Sequence, residues 1–564
     1  MSMAVTAEPM ESRSESSADH AAGEGFLGVF DREEPDPAVE TLANPDDDTI
    51  SEELAGSLVR VGTTASARFN ILSTMVGGGS LSLPMAFQKA GNGLLGPVIL
   101  IVVATVTEFC FRILVDSARR LSPVSASSVT PGKDSFELIA SAAFGRRAYV
   151  GSMILVTFMC FFGTIGYAVL LRDMLEPVTF MIFPSHASFS NTTRVYESQW
   201  ESVGRGSQVG GSDGPSWRNN ATMLIVVLLV TPLCTLRTLT ALKRFGAASM
   251  VSVLILGLCV VYRSIECNLG YVDGNHDYKF WHSFQLWPDS WKNVLDAFPL
   301  FVSCFVCHYN ILTVHNELRV PSHQRVSWWL RSTTWMAAAF YLLIGLAGSA
   351  YAHCTIDGKI HGNVLLDFPK DDPLLLVGRM CLALTITLAF PMLTIPARDI
   401  VIRSLPSLLK HDQQSNGADN GESNLVEQSL RQSLLENVHS DDEAVGLVPH
   451  SSLSSEQPSG KGASFWLRLV VAMALFWTAA GVASCVSSID IVWNLLGSSL
   501  SMLLSYIIPC SSYLTIIHTE ENGGTSERPS RFVLATAWVL LLVASPLMIL
   551  STANAVYSTF FSNV

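Results

Sequence analysis

Three consecutive glycines lie in the middle of the first long apolar run of the sequence. Gly77, Gly78 and Gly79 are followed by Ser80 and Pro84 in the segment ARFNILSTMVGGGSLSLPMAFQKAG. A continuous helix is unfavourable there, since each glycine costs about 1 kcal/mol and proline about 3 kcal/mol in a helix interior. At membrane depth, backbone groups released from a helix are tolerated only where they line a cavity. Such N–H groups can bind a carboxylate, and free carbonyls can bind an ammonium or a cation. A kink or close helix packing is the alternative, and three consecutive glycines favour a binding site over it.

Few ionisable residues interrupt the apolar runs, and these few are candidates for proton transfer. Glu108 and Arg112 are four residues apart, so they share a helix face and can pair. Two interpretations stay open: a neutralised structural ion pair, or a carboxylate that carries a coupling proton. His308 titrates near neutrality in water and could be either a proton relay or a packing and gating residue.

Eleven apolar runs are long enough, at about 20 residues each, to cross a bilayer as helices. The chain has 564 residues, 49% hydrophobic and 15% charged, with a mean hydropathy of +0.36. This composition argues against a soluble enzyme and a nucleic-acid binder. The sequence predicts an all-α polytopic membrane protein with 11 transmembrane helices, near 68–88, 93–118, 149–183, 221–238, 245–266, 293–314, 328–352, 373–396, 464–486, 490–512 and 531–558.

Two polar segments carry the net charge of −13, and the apolar body does not. Residues 1–60 have 15 acidic and three basic side chains, residues 411–460 have nine and one, and the rest has 24 and 31. Both segments are poor in aromatic residues and cannot bury enough apolar surface to fold. We expect a disordered acidic cytosolic tail at 1–60, transmembrane helices 1–8 at 64–404, a disordered acidic cytosolic loop at 405–462 and helices 9–11 at 463–564.

Basic residues predict the orientation, because cytosolic loops of membrane proteins are enriched in Lys and Arg. Five of them cluster between residues 119 and 147, which places the N-terminus in the cytosol. The polar loop 184–219 then lies on the opposite face, and its Asn191-Thr-Thr is a glycosylation sequon. Cys267 and Cys354 fall near span ends on that same face, where they could form a disulfide.

Four motifs in order along the chain resemble those of the amino acid/auxin permease family, which includes the sodium-coupled neutral amino acid transporters. The first is the glycine-containing segment above, and the second is FPLFVSCFVCHYNILTVHNEL in the sixth span. The third is FPMLTIPAR at the end of the eighth span, and the fourth is WNLLGSSLSMLLSYIIPCSSYL in the tenth. The resemblance runs from about residue 64 to 558 and leaves out both acidic segments.

The resemblance implies a LeuT-like fold, in which spans 1–5 and 6–10 are inverted repeats and helices 1 and 6 are broken. The sixth span has no glycine break and only Pro299 near its start. By this analogy the substrate carboxylate binds N–H groups around the glycines and Ser80. The substrate ammonium then faces carbonyls and hydroxyls contributed by Asn70, Ser73, Ser303, Cys304 and Phe305.

The coupling ion is open between protons and sodium. Sodium-coupled members of the family place an Asn four residues before the first glycine, paired with a Thr of the eighth span. Here Ser73 occupies the first position, and Thr387 is available at the second. A hydroxyl is a weaker ligand for a hard cation than an amide carbonyl, so Glu108 and His308 become alternative coupling residues. No metal site and no cofactor are expected.

The resemblance implies a secondary active transporter of amino acids, neutral ones being expected, that works by alternating access. The alternative is a transporter-like amino acid sensor that signals through its cytosolic segments. Neither an HExxH nor a Gly-x-Ser-x-Gly motif, each typical of an enzyme, appears on the spans. The expected partners are an amino acid, the lipid bilayer and cytosolic regulators of the acidic segments, with no nucleic acid. Plasma membrane and a lysosome- or vacuole-type organelle are both compatible with the sequence.

Overall fold

The computed structural model describes residues 63–121, 135–176, 217–234, 245–269, 284–318, 322–355, 357–369, 372–414, 465–523 and 529–561. The acidic tail at 1–60, the sequon at Asn191 and most of the loop at 405–462 lie outside these residues and stay predictions.

The described segments form a succession of α-helices. In chain order they are α1 Thr64–Met75, α2 Leu83–Ala90, α3 Leu95–Leu121, α4 Phe136–Phe144, α5 Arg146–Met174, α6 Trp217–Cys234, α7 Phe245–Asn268, α8 Trp291–Cys304, α9 His308–Glu317, α10 His323–Ala350, α11 Pro373–Gln414, α12 Phe465–Ala483, α13 Ile489–Leu496, α14 Ile508–Gly523 and α15 Arg531–Phe560. A 3-10 turn, Gly78–Ser82, joins α1 to α2, and π-helical segments join α13 to α14. Helix α11 ends at Gln414, so the first residues of the segment assigned to the acidic loop belong to this helix.

Ten helical stretches within the described ranges are long and apolar enough to cross a membrane. They match the predicted second to eleventh spans, with α8 and α9 together forming the sixth. The first predicted span is not among the ten, because its break leaves helices of only 12 and eight residues. The prediction of an all-α polytopic membrane protein is confirmed, while the count of 11 spans stays a prediction.

The first span is broken at the glycines, as predicted. Helix α1 begins behind Thr63, whose side chain accepts the Ser66 N–H at 3.1 Å. It ends at Met75, and the chain is extended at Gly77, with φ −129° and ψ −148°. Helix α2 then starts with proline in its first turn. Proline is tolerated at that place because the first N–H groups of a helix have no intrahelical acceptor.

The sixth span is also broken, although its sequence contains no glycine. Helix α8 ends at Cys304, the next three residues are not helical, and α9 begins at His308. Each half of the chain therefore starts with an interrupted helix, which is the arrangement expected for a LeuT-like fold.

The two interrupted helices lie side by side inside the bundle. Helix α8 packs against α2, and α10 packs against both α1 and α2. The Phe87 ring of α2 meets the Phe301 ring of α8 with centroids 5.3 Å apart. On the other side, α5 packs against α11 and α12. The helix breaks thus lie between two groups of closely packed helices, where their free backbone groups are shielded from lipid.

Cys267 and Cys354 form a disulfide that joins the end of α7 to the residues following α10, with Cα atoms 6.4 Å apart. Close by in the sequence, Arg263 Nη2 donates to Asp372 Oδ1 at 2.7 Å and so connects α7 to the start of α11. The covalent bond and the ion pair together fix three helices at one end of the bundle.

Candidate substrate-binding site

The two helix breaks open onto one cavity. Its polar lining comes from the first and sixth spans and includes Gly77, Gly78, Gly79 and Ser303. Side chains from α5, α11 and α13 complete the wall opposite the breaks, and these are Met159, Tyr167, Met392, Leu393 and Trp493. The glycines predicted as a binding segment are therefore brought together with a residue of the sixth span, as a shared substrate site requires.

Gly77 and Gly78 are required by lack of space rather than by their backbone angles. A β-carbon on Gly77 would lie well inside van der Waals distance of the Tyr167 hydroxyl oxygen. A β-carbon on Gly78 would lie 2.8 Å from Leu170 Cδ2, and one on Gly79 would lie 3.4 Å from Cys304 Sγ. Any other residue at the first two positions must displace α5 side chains or fill the cavity.

The backbone around the glycines offers donors to an anion. Gly78 and Gly79 are the first two residues of the 3-10 turn. Their N–H groups therefore have no hydrogen-bond acceptor within that turn. Ser80 N and Ser80 Oγ both donate to the Gly77 carbonyl, at 3.1 and 2.8 Å. Ser80 is buried and does not line the cavity. It shapes the turn, while the amides before it remain available to a carboxylate.

The predicted ammonium-binding residues divide between the cavity wall and the layer behind it. Ser73 and Ser303 line the cavity, and their hydroxyls donate to Asn70 O and Leu300 O, both at 2.9 Å. Because each hydroxyl donates elsewhere, its lone pairs are available to a cationic group. Asn70 is not part of the lining, and its carbonyl also accepts Thr74 Oγ1 at 2.9 Å.

Cys304 and Phe305 lie directly behind the cavity wall. The Cys304 side chain is buried, and its carbonyl accepts the Tyr341 hydroxyl at 2.7 Å. The Phe305 ring packs edge-on against the Tyr341 ring, with centroids 5.1 Å apart. Both residues therefore hold the sixth-span break in place from behind.

The coupling residues considered from the sequence lie in different surroundings. Ser73 lines the cavity, whereas the Thr387 hydroxyl donates at 2.7 Å to Ala383 O within its own helix. No hydrogen bond joins Ser73 to Thr387 in the part of the chain that the structure describes.

Glu108 lies away from the cavity, on the side of α3 that faces α10. It pairs with Arg112 as the i, i+4 spacing predicts, and its Oε2 accepts Trp335 Nε1 at 2.8 Å. The carboxylate therefore has two partners, and neither belongs to the cavity lining.

His308 begins α9 and is fully buried. Its ring packs on Phe111 with centroids 4.4 Å apart. Neither ring nitrogen has a hydrogen-bond partner among the described residues. His308 therefore lies next to the sixth-span break, and its role as a proton relay or as a packing and gating residue stays a prediction.

The aromatic residues of the site were not predicted from the sequence. The Tyr167 ring is held between Trp493 and Phe390, with centroid distances of 6.1 and 6.4 Å. Tyr309 and Asn310 of α9 also line the cavity. The only available signal was that a tyrosine hydroxyl inside an apolar run needs a polar partner, which does not identify the partner.

A loop between α10 and α11 contacts both the first span and α5. The Gly362 carbonyl accepts Ser82 Oγ at 2.6 Å, and Asn363 Nδ2 donates to Asp173 Oδ2 of α5 at 3.4 Å. Within this loop Asp367 pairs with His361. Burial raises the pKa of the Asp367 carboxyl, and the hydrogen bonds from His361 act in the opposite direction. The loop thus connects the first span to α5.

Comparison with known proteins gives one family. The profile of the family described as "Transmembrane amino acid transporter protein" matches residues 60–556. Vacuolar amino acid transporter 5 of Schizosaccharomyces pombe is 23% identical over 82% of this chain and 86% of its own length. Vacuolar amino acid transporter 6 of Saccharomyces cerevisiae is 25% identical over 82% and 92%.

Of two further matches, one covers a smaller share of this chain and the other has a lower sequence identity. A Bos taurus protein, provisionally named sodium-coupled neutral amino acid transporter 11, is 23% identical over 60% of this chain and 62% of its own. Among solved structures, a manganese transporter of Eremococcus coleocola covers 93% of this chain and 91% of its own, with 11% identity and a TM-score of 0.47. A similarity that weak assigns neither a site nor a substrate to this chain.

Proposed function

This chain belongs to the transmembrane amino acid transporter family, and on that premise we propose that it is a secondary active transporter of neutral amino acids. The family and the named relatives are transporters, in agreement with the prediction that the chain is not an enzyme. The observation that supports the proposal most directly is the single cavity onto which both interrupted helices open.

The polarity of the cavity supports a zwitterionic substrate. The substrate carboxylate would accept N–H groups of Gly78 and Gly79, at the positive end of the 3-10 turn and α2. Its ammonium would lie near the hydroxyl oxygens of Ser73 and Ser303. All four groups would contact the main-chain part of the substrate, so any amino acid could bind in the same way.

The lining supports a substrate with an uncharged side chain. Among the described residues that line the cavity, none is Asp, Glu, Lys or Arg. A charged substrate side chain would therefore lose its hydration without gaining a charged partner, which is costly in a membrane interior. Met159, Met392 and Trp493 offer apolar surface instead.

Transport by alternating access would move the broken helices with α3 and α10 as one group against the rest of the bundle. Binding of a coupling ion, either H⁺ or Na⁺, would order the unwound segments and raise the affinity for the zwitterion.

Two of the relatives above are named vacuolar, which favours an organelle membrane over the plasma membrane. The disulfide at one end of the bundle supports an N-terminus on the opposite, cytosolic side, since disulfides persist in oxidising compartments.

Uptake by purified protein in proteoliposomes tests this function. A panel of neutral, acidic and basic amino acids would be offered with pH and sodium gradients imposed separately. We expect accumulation of neutral amino acids, and its loss in the Gly77→Leu variant without loss of membrane insertion. Gly481→Leu is the matched control, because a β-carbon at Gly481 meets nothing within 4 Å. Substrate binding without uptake of any amino acid would favour the sensor alternative and contradict the proposal.

A further inference from the structure

Two arginines lie exposed on a largely apolar face of the bundle. The Arg112 side chain on α3 is 41% exposed, and Arg331 on α10 is exposed as well. Val98 and Val102 on α3 are 43% and 54% exposed, as expected of side chains that meet lipid tails. A guanidinium in such surroundings is unfavourable unless it reaches water, a headgroup or an anion.

Both arginines lie at the same depth, counted from one side of the membrane. Arg112 comes nine residues before the end of α3 at Leu121, and Arg331 comes eight residues after the start of α10 at His323. At 1.5 Å per residue each is about 12 to 14 Å from its helix end. Since α3 ends and α10 begins on the side where α1 begins, both side chains can extend toward the headgroups of that leaflet.

A hydrogen bond between the two helices fixes this register. Trp335 Nε1 on α10 donates to Glu108 Oε2 on α3 at 2.8 Å. Arg331 precedes Trp335 by one turn and Arg112 follows Glu108 by one turn. Because the helices run in opposite directions, both arginines lie on the same side of this hydrogen bond.

The charges of this patch do not balance. Glu108 pairs with Arg112, whereas Arg331 has no ion pair among the described residues. A third cation, Arg68 of α1, lies 4.2 Å above the ring of Trp328. Trp328 and Trp335 are 55% and 38% exposed. Three guanidinium groups against one carboxylate leave a positive site flanked by two exposed tryptophan rings.

We propose that this patch binds the headgroup of an anionic phospholipid from the leaflet on the side where α1 begins. Arginine matches phosphate by paired hydrogen bonds, and basic surfaces between transmembrane helices on the cytosolic side bind anionic headgroups. The acyl chains would lie along the exposed valines of α3. The site is separate from the substrate cavity, so the proposal stands or falls independently of the transport function.

Native mass spectrometry of the full-length protein in detergent tests the proposal, with phosphatidylserine and phosphatidylcholine added in turn. We expect preferential retention of phosphatidylserine. Arg331→Gln should lower its affinity about fivefold, in line with the value of one surface arginine, and adding Arg112→Gln should lower it further. Arg531→Gln is the matched control, because Arg531 is an exposed arginine at the start of α15 on the same membrane side.

Three results would overturn the proposal. The first is equal binding of the two lipids, or an affinity for phosphatidylserine that Arg331→Gln leaves unchanged. The second is full competition by soluble glycerophosphoserine, which would indicate an anion site that needs no membrane. The third is a dimer that Arg331→Gln dissociates without changing lipid binding, which would assign the patch to a second copy of the chain. Folding of each variant is judged by gel filtration and circular dichroism. If the double variant does not fold, Arg331→Gln alone still tests the proposal.

Discussion

The phenolic oxygen of Tyr341 lies 2.7 Å from the carbonyl oxygen of Cys304, the last residue of α8. It also lies 2.7 Å from the carbonyl oxygen of Met75, the last residue of α1. Both carbonyls are released by a helix break, and the hydroxyl has one proton to share between them. Tyr341 on α10 therefore connects the two interrupted helices at the points where they unwind.

Replacing Tyr341 with phenylalanine should weaken transport more than it weakens folding. The variant removes the Tyr341 donor from the buried Cys304 carbonyl, at a cost of about 1 to 3 kcal/mol. The Met75 carbonyl loses the same donor but still accepts the Gly77 N–H at 2.9 Å, and the geometry of both breaks loosens. We expect uptake, measured as kcat/KM in proteoliposomes, to fall about tenfold or more. Tyr351→Phe is the control, because Tyr351 is a buried tyrosine that stacks on Phe368 away from the cavity. Equal uptake by both variants would show that the bridge has no role in transport.

Gly77→Ala should impair uptake through a collision with one identified side chain. The added methyl group would meet the Tyr167 hydroxyl, and the Tyr167 ring is confined between Phe390 and Trp493. Such overpacking typically costs about 1 to 3 kcal/mol. The double variant Gly77→Ala/Tyr167→Phe removes the oxygen from the collision, and the nearest remaining ring atom is then 3.3 Å away. We expect it to recover part of the lost uptake.

A double-mutant cycle measures this coupling. Gly151→Ala on α5 is the neutral control, because a β-carbon there meets nothing within 4 Å. If Tyr167→Phe adds its own defect to that of Gly77→Ala without any recovery, the steric explanation of the glycine is wrong.

The sequence predicted the elements of this fold better than the contacts of its site. The break at the first span followed from three glycines and a proline, whose cost in a helix is local. The break at Cys304 has no comparable local signal, and it came only from resemblance to a family. The Cys304 carbonyl at this break accepts a tertiary hydrogen bond from Tyr341, a residue 37 positions away. Tyr167 and Trp493 reach the cavity from α5 and α13, and their orientation depends on helix rotations that apolar runs do not specify.

Loss of the disulfide should destabilise the protein without changing its substrate site. The bond closes a loop of 87 residues, and the chain-entropy estimate for a loop of this length is about 4.6 kcal/mol. We expect Cys354→Ser to lower the melting temperature in detergent, and a reducing agent to lower that of the native chain toward the same value. Cys485→Ser, at an exposed free thiol, should leave it unchanged. A native chain insensitive to reduction would mean that the two cysteines are not bonded in the protein.

Ser73 offers a direct test of the coupling ion. It lines the cavity at the position where sodium-coupled relatives of the family are expected to have Asn, and its own hydroxyl donates to Asn70 O. A hard cation needs several oxygen ligands, and no lining residue among those described is a carboxylate.

We therefore expect uptake to follow an imposed pH gradient and to persist when sodium is replaced by choline. Ser73→Asn supplies a stronger oxygen ligand and should make uptake respond to sodium, whereas Ser73→Ala should not. Strict dependence of the native chain on sodium would contradict proton coupling and assign the cation to the hydroxyl of Ser73 and the free carbonyls of the first break.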